Sequence, residues 1–99
     1  MSKAISITRH ESDTRGRYEA RVDGIEGVGQ LTYSRLSPDK IIAEHTSVDD
    51  SLRGTGVGEA LVIRLIEDAR VDGRSIFPLC PFVKAQYAKH PEWSDVMDS

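Results

Sequence analysis

Three glycines alternate with other residues in the segment Arg53-Gly54-Thr55-Gly56-Val57-Gly58, between a predicted strand and the clearest predicted helix. Glycine has no Cβ, so a ligand can approach the backbone closely there. The N–H groups of a helix's first turn lack intrahelical acceptors, and the helix dipole attracts anions to them. Arg53 adds a positive charge at the rim. This segment, the glycine loop, therefore favours a phosphate or pyrophosphate ligand; the alternative is a tight strand-to-helix turn that binds nothing.

Two well-known phosphate-binding patterns do not fit the glycine loop. A Walker A loop needs Lys and then Ser or Thr after its last glycine, whereas Glu59 and Ala60 follow here. The dinucleotide fingerprint places two residues between its last two glycines, and Glu59 stands where its final glycine would fall. A third pattern, the acetyl-CoA loop Arg/Gln-x-x-Gly-x-Gly/Ala, fits at every fixed position.

With that fit, the segment resembles motif A of the GNAT superfamily of N-acetyltransferases. Val48 lies five residues before Arg53, as the family's strand-ending valine does. The proline that often follows that valine by two residues is Asp50 here. The resemblance covers residues 16–95 and includes three segments of a short GNAT-like subfamily: Glu44-His45-Thr46-x-Val48, Pro78-x-Cys80-Pro81-Phe82-Val83 and Tyr87-x-x-His90-Pro91-Glu92-Trp93.

The resemblance implies that acetyl-CoA is the cofactor. In GNAT proteins the strand before the loop separates from its neighbour and admits the pantetheine arm. Backbone groups near Thr46, Ser47 and Val48 would then pair with pantetheine and the acetyl carbonyl. The pyrophosphate would be held by the rest of the motif, namely Arg53 and the backbone of Gly54, Thr55, Gly56, Val57 and Gly58.

Direct attack of an amine on the thioester needs a base for the ammonium proton and an acid for the departing thiolate. The resemblance places Tyr87 at the position of the family's thiolate-protonating tyrosine, and a phenol with a pKa of ~10 can be that acid. The alternative is a tyrosine that only packs on its helix. The segment after it, His90-Pro91-Glu92-Trp93, departs from the family's usual glycine-aromatic ending.

Cys80 stands directly before Pro81, at the predicted start of a helix. A helix N-terminus stabilises a thiolate, so Cys80 could accept acetyl from the cofactor in a covalent, ping-pong route. His45, on the neighbouring predicted strand, is the candidate base or partner of Cys80. The alternatives are a buried, inert cysteine and a structural histidine. If the pair forms a site, the two side chains should face one cleft within ~8 Å of each other.

The elements that position these residues follow from hydrophobic period and turn residues. A short strand at 4–7 and a polar turn over 11–16 come first. Alternation then predicts a strand over 17–22, Leu31 and Tyr33 on one face indicate a strand over 28–36, and β-branched residues favour one over 40–48. Helical spacing and a following Gly73 predict a helix over 56–71, then a strand at 75–77 and a helix over 81–89. A helix between two strands predicts a right-handed crossover and one parallel strand pair.

Composition limits the classes of protein that the chain can form. Its 99 residues suit a single domain over 1–99, and its net charge of −3, without a basic block, argues against nucleic acid as the main partner. No apolar run approaches the ~20 residues of a membrane span, and no secretory signal is evident. A lone cysteine suits a reducing cytoplasm. The histidines and Cys80 are too widely spaced to predict a metal site.

Together with the resemblance, these observations imply an α+β fold of GNAT type in three α/β/α layers. It would have a mostly antiparallel sheet with one parallel strand pair and helices on its faces. Only the polar residues 9–16 separate the first two predicted strands, where larger GNAT proteins carry helices on the acceptor side. The implied function is acetyl-CoA-dependent acetylation of an unidentified amine. The acceptor side of the site would be an open face, which suits a peptide or a protein as the acceptor. The alternatives are an acyl-CoA-binding module with little or no transfer and a slow CoA-thioester hydrolase.

Overall fold

The computed structural model describes residues 4–98, which form a five-stranded sheet and two α-helices. The elements are β1 (Ile5–Glu11), β2 (Arg15–Val22), β3 (Ile25–Ser37), β4 (Lys40–Val48), α1 (Val57–Asp72), β5 (Ser75–Pro78) and α2 (Pro81–Lys89). The strands lie side by side in chain order. β1 to β4 are antiparallel, and α1 crosses over so that β5 runs parallel to β4. The predicted fold class, an α+β fold with a mostly antiparallel sheet and a parallel pair, is confirmed.

Alternation along the strands produces one buried face of the sheet, the inner face. Tyr18 and Ala20 on β2 lie on it beside Leu31 and Tyr33 on β3. Helix α1 covers these residues with buried side chains at helical spacing, among them Val57, Leu61, Leu65 and Ala69. Complete burial of one Leu or Val side chain stabilises a fold by roughly 1.5–3 kcal/mol. The contact between α1 and the central strands is therefore the main source of the core.

The opposite face, the outer face, is not covered by a helix of the described chain. On β2 the exposed residues Arg15, Arg17 and Arg21 alternate with buried ones and point outward. Val83 of α2 belongs to the same core as the residues of α1, so both helices lie on the inner face. Residues 4–98 thus form two layers, and the expected third layer is missing from them. A face made mainly of charged and hydroxyl side chains has little apolar surface for a helix to bury.

The hairpin of β1 and β2 is longer than the sequence predicted. Residues expected in a polar turn extend both strands, and only residues 12–14 connect them. Arg9 and Glu11 stay in the strand because they bond side chains far along the chain, Asp68 and Arg74 respectively. The three connecting residues leave no helix between the first two strands, as expected from the length of the chain.

A β-bulge in β4 changes which side chains face inward. Thr32 pairs with His45, but Tyr33 pairs with Ala43, so Glu44 is an extra residue between them. Beyond the bulge, Thr46 lies opposite inward-facing Leu31, and His45 lies opposite outward-facing Thr32. An uninterrupted period of two would have placed His45 on the inner face with Ala43.

Other bounds follow the sequence closely. β4 and α2 begin and end where they were predicted, and α1 stops before Gly73, whose φ of +68° is in the left-handed region. The C-terminal segment was not predicted: a 3-10 helix, Pro91–Asp95, leads to Met97, which bridges to Ile76 on β5. Within residues 4–98, no helix has the length and apolar character needed to cross a membrane.

Candidate functional site

The glycine loop follows a 3-10 helix, Asp50–Leu52, and opens α1. Gly54 and Gly56 have φ angles of +81° and +85°, in the left-handed region that side chains rarely allow. A Cβ on either glycine would meet no atom within 4 Å. The backbone is therefore open on the side where these residues lack a side chain, and a ligand can lie directly against it.

Backbone N–H groups of the loop and of the first helical turn are arranged as in an anion-binding site. The N–H of Thr55 donates to the Leu52 carbonyl oxygen, and the helical bonds begin with Ala60 donating to Gly56. Between and beside these bonds, further N–H groups have no acceptor in the described part of the chain: those of Gly54, Gly56, Val57, Gly58 and Glu59. Unpaired N–H groups at the positive end of a helix dipole can hold a phosphate or pyrophosphate.

Arg53 lies at the rim of the loop, where an acidic neighbour holds it. Its side chain is 83% exposed, and Nη2 lies 2.9 Å from Oδ1 of Asp50, which is 92% exposed. Exposed ion pairs of this kind stabilise a fold by only ~0–1 kcal/mol. A phosphate in the loop can therefore replace Asp50 as the partner of Arg53 at small cost.

Gly58 has a different role from the other two glycines. It lies within α1, and a Cβ there would come 2.8 Å from Cζ of Phe82 on α2. Its missing side chain lets the two helices approach each other beside the loop. The sequence predicted Gly58 as a cofactor-binding residue; its N–H remains free for that, but the close packing against Phe82 could not be read from the spacing.

Two side chains that sequence reasoning missed hold the loop on the sheet. Asp49 Oδ2 accepts a hydrogen bond from the Val28 N–H at 2.9 Å, and Ser51 Oγ donates to the Glu26 carbonyl oxygen at 2.5 Å. Both contacts join the segment after β4 to the start of β3. The signal was the polar run Asp49-Asp50-Ser51, because short polar side chains often bond backbone groups. Their partners lie more than twenty residues away and leave no local trace.

β4 continues beyond the end of β5 and leaves a gap that we call the notch. The parallel pairing runs from Lys40 to Ala43, and the Cys80 N–H then donates to the Ala43 carbonyl oxygen at 2.9 Å. Past that bond, residues 44–48 have no described strand on their β5 side. Because only the short 3-10 helix Asp50–Leu52 separates β4 from the glycine loop, an extended ligand can run along this strand edge from the notch to the loop.

The notch separates two of the predicted catalytic residues. Thr46 Oγ1 and Cys80 Sγ lie 3.5 Å apart at its inner side, and Cys80 is only 3% exposed at the N-cap of α2. His45 is exposed on the outer face, with the sheet between it and Cys80. The predicted approach of His45 and Cys80 to one cleft is therefore wrong, because the bulge at Glu44 reverses the alternation.

Tyr87 lies on α2, half-buried and packed against the core. It stands one helical turn after the buried Val83, which places both on the side of α2 that faces the core. Its hydroxyl has no hydrogen-bond partner among the described residues. Tyr87 thus has a packing role, and its phenol remains available to donate a proton.

A cavity of about 620 Å³ lies at the other end of α1, away from the loop. Arg70 and Asp95 line it, but they are paired with each other at 2.9 Å. The remaining lining does not gather the groups that an acyl transfer requires. The candidate site is therefore the notch with the glycine loop.

A mixed sheet that opens beside a glycine loop at a helix N-terminus defines a GNAT-type fold. Residues 17–96 match the sequence profile of the GCN5-related N-acetyltransferases, and the chain belongs to this family. It is similar to a GCN5-like protein from Staphylococcus aureus, itself a candidate N-acetyltransferase, whose solution NMR structure has been determined. That comparison has a TM-score of 0.69 and 26% sequence identity, over 95% of this chain and 88% of the other. No curated protein matches the chain.

Proposed function

We propose that this protein is an acetyl-CoA-dependent N-acetyltransferase that acts in the cytoplasm as a single domain. The observation that carries the proposal is the set of unpaired N–H groups of Gly54, Gly56, Val57, Gly58 and Glu59 at the end of an unpaired strand edge. The pyrophosphate of CoA would lie on the loop, with Arg53 exchanging Asp50 for a phosphate. Pantetheine would extend β4 along residues 46–48, with the acetyl group in the notch.

The acceptor amine approaches from the outer face, because no described element covers that side. His45 is exposed there beside the notch and takes the proton from the ammonium group. The amine nitrogen then attacks the thioester carbonyl carbon, the new C–N bond forms and the C–S bond breaks. The CoA thiolate would leave on the inner side, where the Tyr87 hydroxyl would supply its proton. The nitrogen gives up its second proton to water as the amide forms, and the Tyr87 phenolate regains a proton from water.

Direct attack fits this arrangement better than the covalent route through Cys80. Cys80 is buried, its Sγ contacts Thr46 Oγ1, and the candidate base His45 lies across the sheet. A thiol without a neighbouring base is a poor nucleophile. Cys80 and Thr46 therefore serve as the inner wall of the notch in this proposal.

A second candidate, an acyl-CoA-binding module with little or no transfer, is favoured by one observation. The loop has the free N–H groups that a pyrophosphate needs, but the candidate base His45 lies across the sheet from Cys80. Incubation with acetyl-CoA separates the candidates. Stabilisation without CoA release supports binding alone, CoA release without an amine supports a hydrolase, and amine-dependent release supports a transferase.

Arg53→Glu tests the location of the cofactor. It removes a cation and adds an anion beside the proposed pyrophosphate, so we expect the Kd for CoA to rise at least about tenfold, equivalent to ~1.4 kcal/mol. Isothermal titration calorimetry measures it. Arg21→Glu, the same charge change on the exposed outer face of β2, is the matched control and should bind CoA normally. Equal affinities for wild type and Arg53→Glu would remove the loop from the proposal.

The same preparation tests the chemical roles. His45→Gln should lower kcat ~100-fold, the usual range for a missing general base, while CoA binding stays unchanged. Cys80→Ala should retain most of the activity. An acetylated intermediate of wild type in the mass spectrum, absent from Cys80→Ala, would overturn direct attack in favour of the covalent route.

A further inference from the structure

A cavity of about 460 Å³ lies on the outer face near the tip of the β1–β2 hairpin. Its lining includes His10, Arg15, Arg17 and Thr32, and one acidic residue, Glu11. The carboxylate of Glu11 is already occupied, since Arg74 donates to both of its oxygens at 2.5 and 3.1 Å. No carboxylate of the lining is therefore left to neutralise Arg15 and Arg17.

Two further acidic residues lie close to these arginines. Arg17 Nε lies 2.9 Å from Glu19 Oε1, and Arg15 Nη2 lies 3.3 Å from Glu44 Oε1. Neither glutamate lines the cavity. The bond at Nε holds the Arg17 guanidinium while both of its terminal Nη groups lack partners among residues 4–98. A guanidinium held in this way can bind a carboxylate with two parallel hydrogen bonds.

One row of paired residues in the sheet runs from the cavity to His45 beside the notch. His10 pairs with Arg17, Arg17 with Thr32, and Thr32 with His45, so these residues form one row across four strands. All four side chains are on the outer face. Neighbouring strands lie ~4.8 Å apart, which puts Arg17 ~10 Å from His45. An extended peptide covers that distance in about three residues.

We propose that the acceptor is a peptide with an acidic side chain about three residues from the amine, which the cavity around Arg17 binds as a carboxylate. This inference rests on the proposed function, because it takes His45 and the notch as the place where the amine reacts. The distance from His45 to Arg17 then sets the spacing between the amine and the acidic side chain of the peptide. The uncovered outer face leaves room for the peptide to lie across the strands.

Synthetic heptapeptides with a free N-terminal amine provide the test. They are uncharged otherwise and carry one Asp at position 3, 4, 5 or 7, or Asn at position 4. Asp at position 4 should raise kcat/KM about tenfold over Asn, as expected for one charge-assisted pair on an accessible surface. Equal rates for Asp and Asn, or an equal gain from Asp at every position, would overturn the proposal.

Arg17→Gln should abolish the preference for Asp over Asn at position 4. Arg21→Gln is the matched control, since Arg21 has the same charge on the same face of β2 but lies outside the cavity. An equal loss in Arg21→Gln would indicate a general effect of net charge and would overturn the proposal. A further peptide with Arg at position 4 tests the contact directly, because Arg17→Glu should prefer it to the peptide with Asp at position 4.

Binding is measured separately from turnover. Fluorescence anisotropy of the same peptides, labelled at the C-terminus, should show that wild type binds the peptide with Asp at position 4 more tightly than the Asn peptide, whereas Arg17→Gln binds both equally. A protein that fails to bind CoA would refute the proposed function, yet this anisotropy comparison would still decide the peptide subsite. Identical anisotropy of both peptides with wild type would refute the subsite even if the enzyme acetylates them.

Discussion

The two ends of helix α1 are built in opposite ways. At its N-terminal end, Gly54 and Gly56 have no side chains, and the first N–H groups have no acceptors in the described structure. At its C-terminal end, Asp68 accepts hydrogen bonds from three side chains: Tyr18 at 2.8 Å, Arg9 at 3.1 Å and Arg64 at 3.1 Å. One end leaves backbone groups free for a ligand, and the other fixes the helix to the sheet.

The network at the C-terminal end extends to the β1–β2 hairpin. The Tyr33 hydroxyl donates to Glu11 at 2.7 Å beside the two bonds from Arg74. Burial, together with the neighbouring carboxylates, raises the pKa of Tyr18 above its ordinary range and that of Tyr33 to about 12, so both phenols stay neutral donors. The comparison shows side-chain hydrogen bonds gathered at one end of the helix and unpaired backbone groups at the other.

The largest expected effect is at the C-terminal end. Asp68→Ala should lower the free energy of unfolding by ~3–4 kcal/mol, because Tyr18, Arg9 and Arg64 lose their shared acceptor at a largely buried position. Urea denaturation measures the change. Asp95→Ala, which breaks an exposed pair with Arg70, should cost less than ~1 kcal/mol. The CoA affinity of the folded protein should not change in either variant, and a fall in Asp68→Ala would show that the two ends are coupled.

Glu11→Gln should act through pH. The hydrogen bonds from Arg74, more than any other group, lower the pKa of Glu11 to about 2 from its ordinary 4.5. Because the pKa of Glu11 is lower in the folded state than in the unfolded state, its ionised carboxylate stabilises the fold at pH above ~5. This contribution is lost as the pH falls towards ~2. Glu11→Gln should therefore cost ~2–3 kcal/mol at pH 7 and almost nothing near pH 2.

Unfolding free energies at pH 7, 4 and 3 check this dependence on Glu11. Glu26→Gln changes an exposed carboxylate that makes no ion pair within residues 4–98 and serves as the control. A constant difference between wild type and Glu11→Gln over this pH range would mean that the pair with Arg74 does not govern the acid stability.

The smallest effect compares the two helix ends directly. Gly56 and Gly73 flank α1, both have positive φ, and a Cβ on either meets nothing within 4 Å. Gly56→Ala and Gly73→Ala should therefore each cost ~1 kcal/mol of backbone strain. Only Gly56→Ala should also weaken CoA binding, because its methyl group would occupy the place proposed for the pyrophosphate. Similar CoA affinities for the two variants would place the cofactor elsewhere.

Much of the fold could be predicted because its signals are local. β4 and α2 have the predicted bounds, since the β-branched residues within 40–48 and the prolines near α2 mark them. The long β1 could not be predicted, because Arg9 and Glu11 look like turn residues until their partners, 59 and 63 residues away, are known. The bridge from Met97 to Ile76 is equally non-local.

The candidate site divides in the same way. The spacing of Arg53 and the glycines locates the loop, because the chemistry lies in consecutive backbone groups. The relation of His45 to Cys80 could not be predicted, since one extra residue in β4 decides it and no residue type marks a bulge there. The packing of Phe82 on Gly58 could not be predicted either, because it is a contact between two helices that are separate in the sequence.

The bulge at Glu44 has a consequence for how this strand tolerates deletion. Removing Glu44 would close the bulge, but His45 would still pair with Thr32 on the outer face and Thr46 with Leu31 on the inner face. A deletion at any other position of β4 before His45 would instead shift the register against β3. In an alignment of relatives, a gap of one residue at Glu44 is therefore compatible with the same faces for His45 and Thr46.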